Sequence, residues 1–221
     1  MPSAIVFPAV RIEHWGSVPY GEALRRQRQL CRMVGDGLEP ATVVSLEHPP
    51  TLTLGRHAPN SDIVVGGAEL DRRGIELLRS DRGGRATYHG PGQAVVYPIV
   101  RLADFRLGVR SWVSLLEEAV VELLAGEGIR GRRRRETAGV WVGEDKISSI
   151  GLRIVRGVSY HGVSLNVDLD VSGFDCIVTC GAPGQTVTDM TTHGALPATA
   201  TEVSGRLAQA IGESLEARRM Q

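Results

Sequence analysis

The chain has 221 residues, 42% hydrophobic and 23% charged, with a formal net charge of zero and an isoelectric point near 7. That length holds one sizeable domain or two small ones with a real core, and a neutral chain offers no global argument for nucleic acid or a membrane surface, so an acidic partner would have to meet a local patch. The three cysteines, Cys31, Cys176 and Cys180, are too few and odd in number for a disulfide framework and fit a reducing cytoplasm; neither a signal peptide nor a membrane-spanning run is expected.

In chain order, residues 4 to 13 are rich in β-formers and read as an opening strand. From Tyr20 to about Val34 the spacing turns helical, with Tyr20, Ala23, Leu24, Leu30 and Val34 on one face, until GDGLEP stops it. ATVVSLEH and TLTLGR read as two strands joined across His48-Pro49-Pro50. A short helix around Ala68 to Arg73 leads into the strand IELLRS. RGGRATYHGPGQAVVYPIV, residues 82 to 100, places four glycines and a proline around Thr87, Tyr88 and His89 and ends in a strand from Gln93 to Val100. Glycines this dense let backbone approach a ligand or adopt positive φ; a tight hairpin without a ligand would use them equally well.

The next helix carries Trp112, Leu115, Leu116, Ala119, Val120, Leu123 and Leu124 at helical spacing and closes at Gly126 and Gly128; these residues read as core. Arg130 and Arg132 to Arg135 form the one strong charge block, either a solvated loop or a docking patch for an acidic protein. Residues 138 to 168 read as three strands, the last two joined by a tight turn at Arg156-Gly157. Gly151 and Gly162 interrupt good strands, which suggests a bulge or a surface that something approaches. A final amphipathic helix opens on a capping box, Thr199-x-x-Glu202, with Val203, Leu207, Ile211 and Leu215 inward. No repeat, low-complexity segment or long linker divides the chain, so residues 1–221 are expected to form a single domain.

Of the 25 Lys and Arg residues, only Lys146 is lysine. Arginine serves wherever a fixed positive charge suffices but cannot lose its proton, so a lone lysine on a β-like segment suggests a group that titrates. Metal binding finds no support: the six histidines are dispersed and no CxxC is present. Phosphate-loop and GxSxG patterns are absent as well. What remains is Cys180, in a Gly- and Pro-rich loop directly before Gly181, where a thiol is accessible and neighbouring amides can face an oxyanion. Cys31 and Cys176 sit in more apolar settings and read as core thiols. A nearby ammonium lowers a thiol's pKa, and a Cys–Lys pair suits acyl transfer through a thioester intermediate.

Four segments in order, RGGRATYHGPGQ, WVGEDKISSIGLRI, YHGVSLNVDL and CGAPGQTVTDM, preceded by HPPTLTLGR, resemble the octanoyltransferases of lipoate biosynthesis over roughly residues 40 to 190. The resemblance implies an α/β (α+β) fold like that of the biotin/lipoate protein ligases, a mixed sheet flanked by helices. It implies a cytoplasmic acyltransferase that moves octanoyl from octanoyl-acyl carrier protein to a lysine of lipoyl domains, those of 2-oxoacid dehydrogenase complexes and the glycine cleavage H protein. The donor brings its phosphopantetheine arm; neither ATP nor metal is needed, and the enzyme is a monomer without nucleic-acid or membrane partners.

Carried over residue by residue, the resemblance makes Cys180 the nucleophile and Lys146 the group that lowers its pKa and relays the proton. It places substrate contacts on Arg82, Gly83, Gly84, Arg85, Ala86, Thr87, Tyr88 and His89, on Ser149, Ile150 and Gly151, and on Gly162, Val163 and Ser164. The chain departs from the family pattern at Ser148 and Ser164, where alanine is common, and at Arg85-Ala86, where Asp- or Gln-Val is usual. Those departures bear on the shape of the acyl pocket. An ATP-dependent lipoate–protein ligase on the same scaffold would need the lysine and the Arg-Gly-Gly loop but not Cys180. A non-catalytic acyl- or carrier-binding module would bind without turnover.

Overall fold

The β-rich segments fall into two sheets. The computed structural model describes residues 10–182, 184–195 and 198–220, the side chain of Cys180 excepted. In chain order its elements begin with β1 (Arg11–Ser17), α1 (Tyr20–Gly35), β2 (Thr42–Glu47), β3 (Thr51–Leu54), α2 (Gly67–Arg72), β4 (Glu76–Arg79) and β5 (Ala86–His89). They continue with β6 (Gln93–Arg101), α3 (Val109–Gly126), β7 (Gly139–Val142), β8 (Asp145–Val155), β9 (Val158–Asn166) and α4 (Ala200–Arg219). The larger sheet has the order β1-β2-β6-β9-β8-β7 and the smaller β4-β3-β5. Both are mixed: β1 runs parallel to β2 and β4 to β3, while the remaining pairs are antiparallel.

Strand alternation assigns the two faces of the larger sheet. Val43, Ala94, Val96, Val163 and Leu165 point to one face, where Trp112, Leu116 and Val120 of α3 and Val203, Leu207 and Ile211 of α4 cover them. Val44, Leu46, Val95, Tyr97 and Ile99 point to the other, packed by Tyr20, Ala23, Leu24 and Val34 of α1. The smaller sheet closes a third cluster, Leu52, Leu54, Ala86 and Tyr88 against Leu70, Phe174 and Ile177. α4 opens on the expected capping box: Thr199 Oγ1 accepts the Glu202 N–H at 3.2 Å, and Glu202 accepts the Thr199 N–H at 2.8 Å. Arg156 and Gly157 both lie at positive φ, 49° and 80°, the geometry of a primed two-residue hairpin turn. Cys31 and Cys176 are buried, as core thiols should be.

Several sequence expectations shift. The opening strand lies at Arg11–Ser17 and overlaps the expected 4–13 only at its end, because its position is set by parallel pairing with the six-residue β2; residues 1–9 are outside the described residues. β2 and β3, joined across Pro49-Pro50, belong to different sheets. Ala86–His89, which reads as part of a glycine loop, is a strand paired with β3, so no hairpin joins it to β6. Gly151 and Gly162 pair directly with each other and create no bulge between β8 and β9. Among the described residues, no helix is long and apolar enough to cross a membrane.

Candidate active site

Between the α1 face of the larger sheet and the smaller sheet lies a cavity of about 260 Å³. β8 and β9 line it with Ser149, Ile150, Gly151, Gly162, Val163 and Ser164, and the 82–89 segment adds Arg82, Gly84, Arg85, Ala86, Thr87 and His89. Lys146 completes the set drawn from the sequence. The side chain of Cys180 lies outside the described residues, and two described residues of that set are absent from the lining. Gly83 donates its N–H to Leu152 O at 2.8 Å and stitches the loop to β8. Tyr88 faces the opposite side of β5, its ring edge-on to Phe174, because alternate residues of a strand face opposite ways.

A bulge in β8 turns Lys146 toward the cavity. Ser148 pairs with Val140 but Lys146 with Trp141, so Ile147 is one residue in excess. Ile147 enters the α3/α4 core, and Lys146 and Ser149 on either side of the shift both reach the cavity. Lys146 is 3% exposed. Its Nζ donates to Ala138 O at 3.2 Å and stands 4.8 Å from the centre of the Trp141 indole. Arg134 also stacks on Trp141, at 5.1 Å, and pairs with Glu144 at 2.7 Å, as Arg132 also pairs with Glu144. Part of the arginine block is thereby built into the wall behind Lys146, while Arg130, Arg133 and Arg135 stay exposed.

The segment carrying Cys180 passes beside the same lysine. Lys146 N–H donates to Thr186 O at 2.9 Å and Lys146 O accepts the Thr188 N–H at 3.1 Å. Upstream, residues Thr179–Gly181 make a 3-10 turn. Arg85 anchors it: its guanidinium pairs with the buried Asp62, at 2.9 Å through Nε, and donates to Gly181 O at 3.3 Å. Gly181 has φ 72°, and a Cβ there would meet the Arg85 guanidinium at 2.2 Å, so both backbone and space require glycine. The Gly181 and Ala182 N–H groups donate to Val178 O and Thr179 O, each at 3.0 Å. These amides close the turn, which corrects the expectation that they face an oxyanion. Arg82 likewise braces the fold: its Nη2 donates to Thr53 O at 2.7 Å and its Nη1 to Gly83 O at 3.0 Å.

Three of the six histidines, scattered in sequence, converge. His48 and His89 have ring centres 5.5 Å apart, His89 stacks on Tyr20 at 5.6 Å, and Tyr97 meets His161 edge-on at 6.2 Å. His48 Nδ1 donates to Val18 O at 2.6 Å and Nε2 accepts the Tyr97 hydroxyl at 2.8 Å. Burial holds His48 neutral, lowering its pKa to about 4, and pushes His89 well below the usual imidazole range. His161 takes φ 58° and donates its N–H to Gln27 Oε1 at 2.8 Å, where the β6–β9 pairing lapses around Pro98, a residue without an N–H. Its Nε2 contacts Asp81 Oδ1 at 2.9 Å, and Tyr160 donates to Asp81 Oδ2 at 2.5 Å. Burial works against the Asp81 charge, yet the hydrogen bonds from His161 and Tyr160 overcome it and hold the carboxyl well below its usual range. Among the described residues, no three His, Cys, Asp or Glu side chains are placed to hold a metal ion.

Tyr20, Val95, Tyr97, Thr137, Ala138 and His161 also line the cavity and are not singled out by the sequence. Tyr20 reads as helix core and Val95 and Tyr97 as strand interior, which they also are. His161 sits one residue before Gly162, inside a segment that the resemblance had already marked.

A model of the lipoyl protein ligase A/B catalytic domain matches residues 19–212. An octanoyltransferase of Chloroflexus aurantiacus is 44% identical over 206 residues, covering 91% of this chain and 92% of that protein. One from Syntrophobacter fumaroxidans is 43% identical over 176 residues, covering 79% and 77%. Among solved structures, a putative lipoate protein ligase from T. acidophilum with bound lipoic acid superposes with a TM-score of 0.77 at 18% identity, covering 95% of this chain and 87% of that one. Biotin protein ligase from Aquifex aeolicus in complex with biotin and ATP gives 0.59 at 12% identity, covering 96% and 72%. At such identities these structures speak for the fold alone. The family match and the relatives together place the chain in the lipoyl protein ligase A/B catalytic domain family, among its octanoyltransferases, as an acyltransferase.

Proposed function

We propose that residues 1–221 act as one catalytic domain that transfers an octanoyl group from octanoyl-acyl carrier protein to the lysine amine of a lipoyl domain, by way of an octanoyl-Cys180 thioester. The observation that carries this reading is the convergence of three separate segments on one cavity. Lys146 on β8, the 82–89 segment and the strand backbone at Ser149–Gly151 and Gly162–Ser164 all line it. The Cys180 turn is tied to the same place through Arg85 and through the hydrogen bonds of Lys146 with Thr186 and Thr188.

Cys180, as thiolate, attacks the thioester carbonyl of the donor; the C–S bond to phosphopantetheine breaks, and that sulfur, which can leave as thiolate, takes up the proton of the Lys146 ammonium, so that Lys146 is left a neutral amine. The acceptor lysine, as free amine, then attacks the octanoyl-Cys180 carbonyl. Lys146 takes a proton from the attacking nitrogen, the C–S bond to Cys180 breaks, and amide and cysteine remain. Thioester to amide is downhill, so the balance requires neither ATP nor metal. The need for a free thiol suits a reducing cytoplasm. Acceptors would be the lipoyl domains of 2-oxoacid dehydrogenase complexes and the glycine cleavage H protein, met by the enzyme as a monomer.

Mass spectrometry after mixing with octanoyl-acyl carrier protein tests the reading. An octanoyl adduct should appear on Cys180 in the absence of ATP. Full turnover by Cys180→Ala, or transfer that starts only when ATP and free acid are supplied, would overturn it.

A further inference from the structure

Three polar atoms that line or adjoin the cavity wall have no hydrogen-bond partner among the described residues: Thr87 Oγ1, His89 Nε2 and His161 Nδ1. Their side chains are buried, with Thr87 7%, His89 5% and His161 1% exposed. The chemistry of each is defined by its neighbours. Gln93 donates through Nε2 to Asn166 Oδ1 at 2.9 Å, so its Oε1, 2.7 Å from His89 Nδ1, must accept the Nδ1 proton. His89 Nε2 is then a bare acceptor. His161 gives its Nε2 proton to Asp81, which leaves Nδ1 a bare acceptor too. Thr87 adds a hydroxyl.

These groups lie away from the reacting end. Arg85 touches the turn that carries Cys180; at about 3.3 Å per residue, Thr87 stands roughly 7 Å and His89 roughly 13 Å further along β5. On the opposite wall, His161 adjoins the Gly151–Gly162 pair, five residues along β8 from Lys146. The cavity therefore runs from Lys146 and Arg85, past Ser149 and Ser164, to an end edged by imidazoles and a hydroxyl.

We infer that Thr87, His89 and His161 form a polar stop that limits the length of acyl chain this enzyme accepts, an inference that rests on the cavity being the acyl site. In the resting structure each of these atoms is closed off from the cavity, so a small outward shift of the wall is what brings water to two acceptors and a hydroxyl; a methyl terminus packed there offers them no partner. An alkyl chain long enough to reach them strips that water and leaves buried polar atoms unpaired, a penalty that shorter chains escape. The ruler is thus chemical as well as steric: removing a polar atom without changing volume should lengthen the accepted chain.

The test compares hexanoyl, octanoyl, decanoyl and dodecanoyl thioesters of pantetheine, reading the rate of Cys180 acylation. Thr87→Val, near in shape, should raise the dodecanoyl-to-octanoyl ratio about ten-fold, Thr87→Ser should leave the ratio as in wild type, and His89→Leu should raise it further. Wild-type ratios in both Thr87→Val and His89→Leu would overturn the inference while leaving the acyl site standing. An equal loss at every chain length would also overturn it, since these groups would then hold the thioester head. Failure of all four thioesters to acylate the wild type would remove the acyl-site reading itself and the stop with it.

Discussion

Gly139 and Lys146 lie against each other across the β7–β8 pair. A Cβ on Gly139 would stand 2.8 Å from Lys146 Cε and 2.5 Å from Ser148 O, and Gly139 itself sits at φ 139°. The lysine reaches the cavity through space that only a missing side chain leaves. Gly139→Ala should strain the backbone by about 1–3 kcal/mol and displace Lys146 from Ala138 O. Transfer from octanoyl-Cys180 to the amine, measured in single turnover, should fall at least about ten-fold. An unchanged rate would show that the lysine tolerates relocation.

Lys146→Arg keeps a cation at the Trp141 face but removes a group that can give up its proton. Acylation of Cys180 should persist while transfer to the acceptor amine falls by about 10²-fold or more, the usual weight of a positioned base. Transfer at the wild-type rate would make Lys146 a fixed charge and end its role as relay.

Arg85 and Gly181 are coupled by the same kind of close approach. Gly181→Ala should slow Cys180 acylation because the new Cβ meets the guanidinium. Arg85→Ala should recover part of that loss when combined with it, leaving only the share due to φ 72°. Strictly additive effects in the double variant would mean that the two residues position the turn independently.

The imidazole cluster predicts acid sensitivity. His48, His89 and His161 are held neutral in the fold, chiefly by burial. In the unfolded chain each titrates near the ordinary value of about 6.5. Below that pH the unfolded state binds more protons, so stability is full above it and drains away as pH falls toward the folded value of about 4 for His48. His48 alone accounts for on the order of 3 kcal/mol across that window, with His89 and His161 acting in the same direction. Urea unfolding at pH 7.5, 6 and 5 should show the decline, and His48→Gln should flatten it. A flat wild-type profile would mean that the imidazoles are charged inside the fold.

Exposed Arg130, Arg133 and Arg135 should matter only for a protein-borne donor. Replacing all three by alanine should lower kcat/KM for octanoyl-acyl carrier protein and weaken its salt dependence, with octanoyl-pantetheine unaffected. A wild-type rate indifferent to ionic strength would dismiss the patch.

Much of this architecture is legible in the chain itself. Apolar spacing locates α1, α3 and α4 because a helix buries one stripe, and Thr199 with Glu202 marks where α4 starts because the pair satisfies backbone donors that the helix cannot. The single lysine among arginines and the glycine-flanked 82–89 segment point at the cavity, since the proposed transfer calls for a titratable amine and close backbone approach. The short β5 is not legible. Its four residues, Ala86–His89, have meaning only through pairing with β3, and the flanking glycines mask it.

Tertiary structure alone decided the rest, because the remaining features are relations between residues far apart in sequence. The extra residue at Ile147 turns Lys146 into the cavity only because β7 supplies the register against which it is extra. Arg134 belongs to the wall behind Lys146 because the chain returns past Trp141. His48, His89 and His161, separated by dozens of residues, come together where β5, β9 and the end of β2 meet. Composition set which groups were available. Burial and register set which of them are neutral, which are braced, and which still face the space where a substrate would lie.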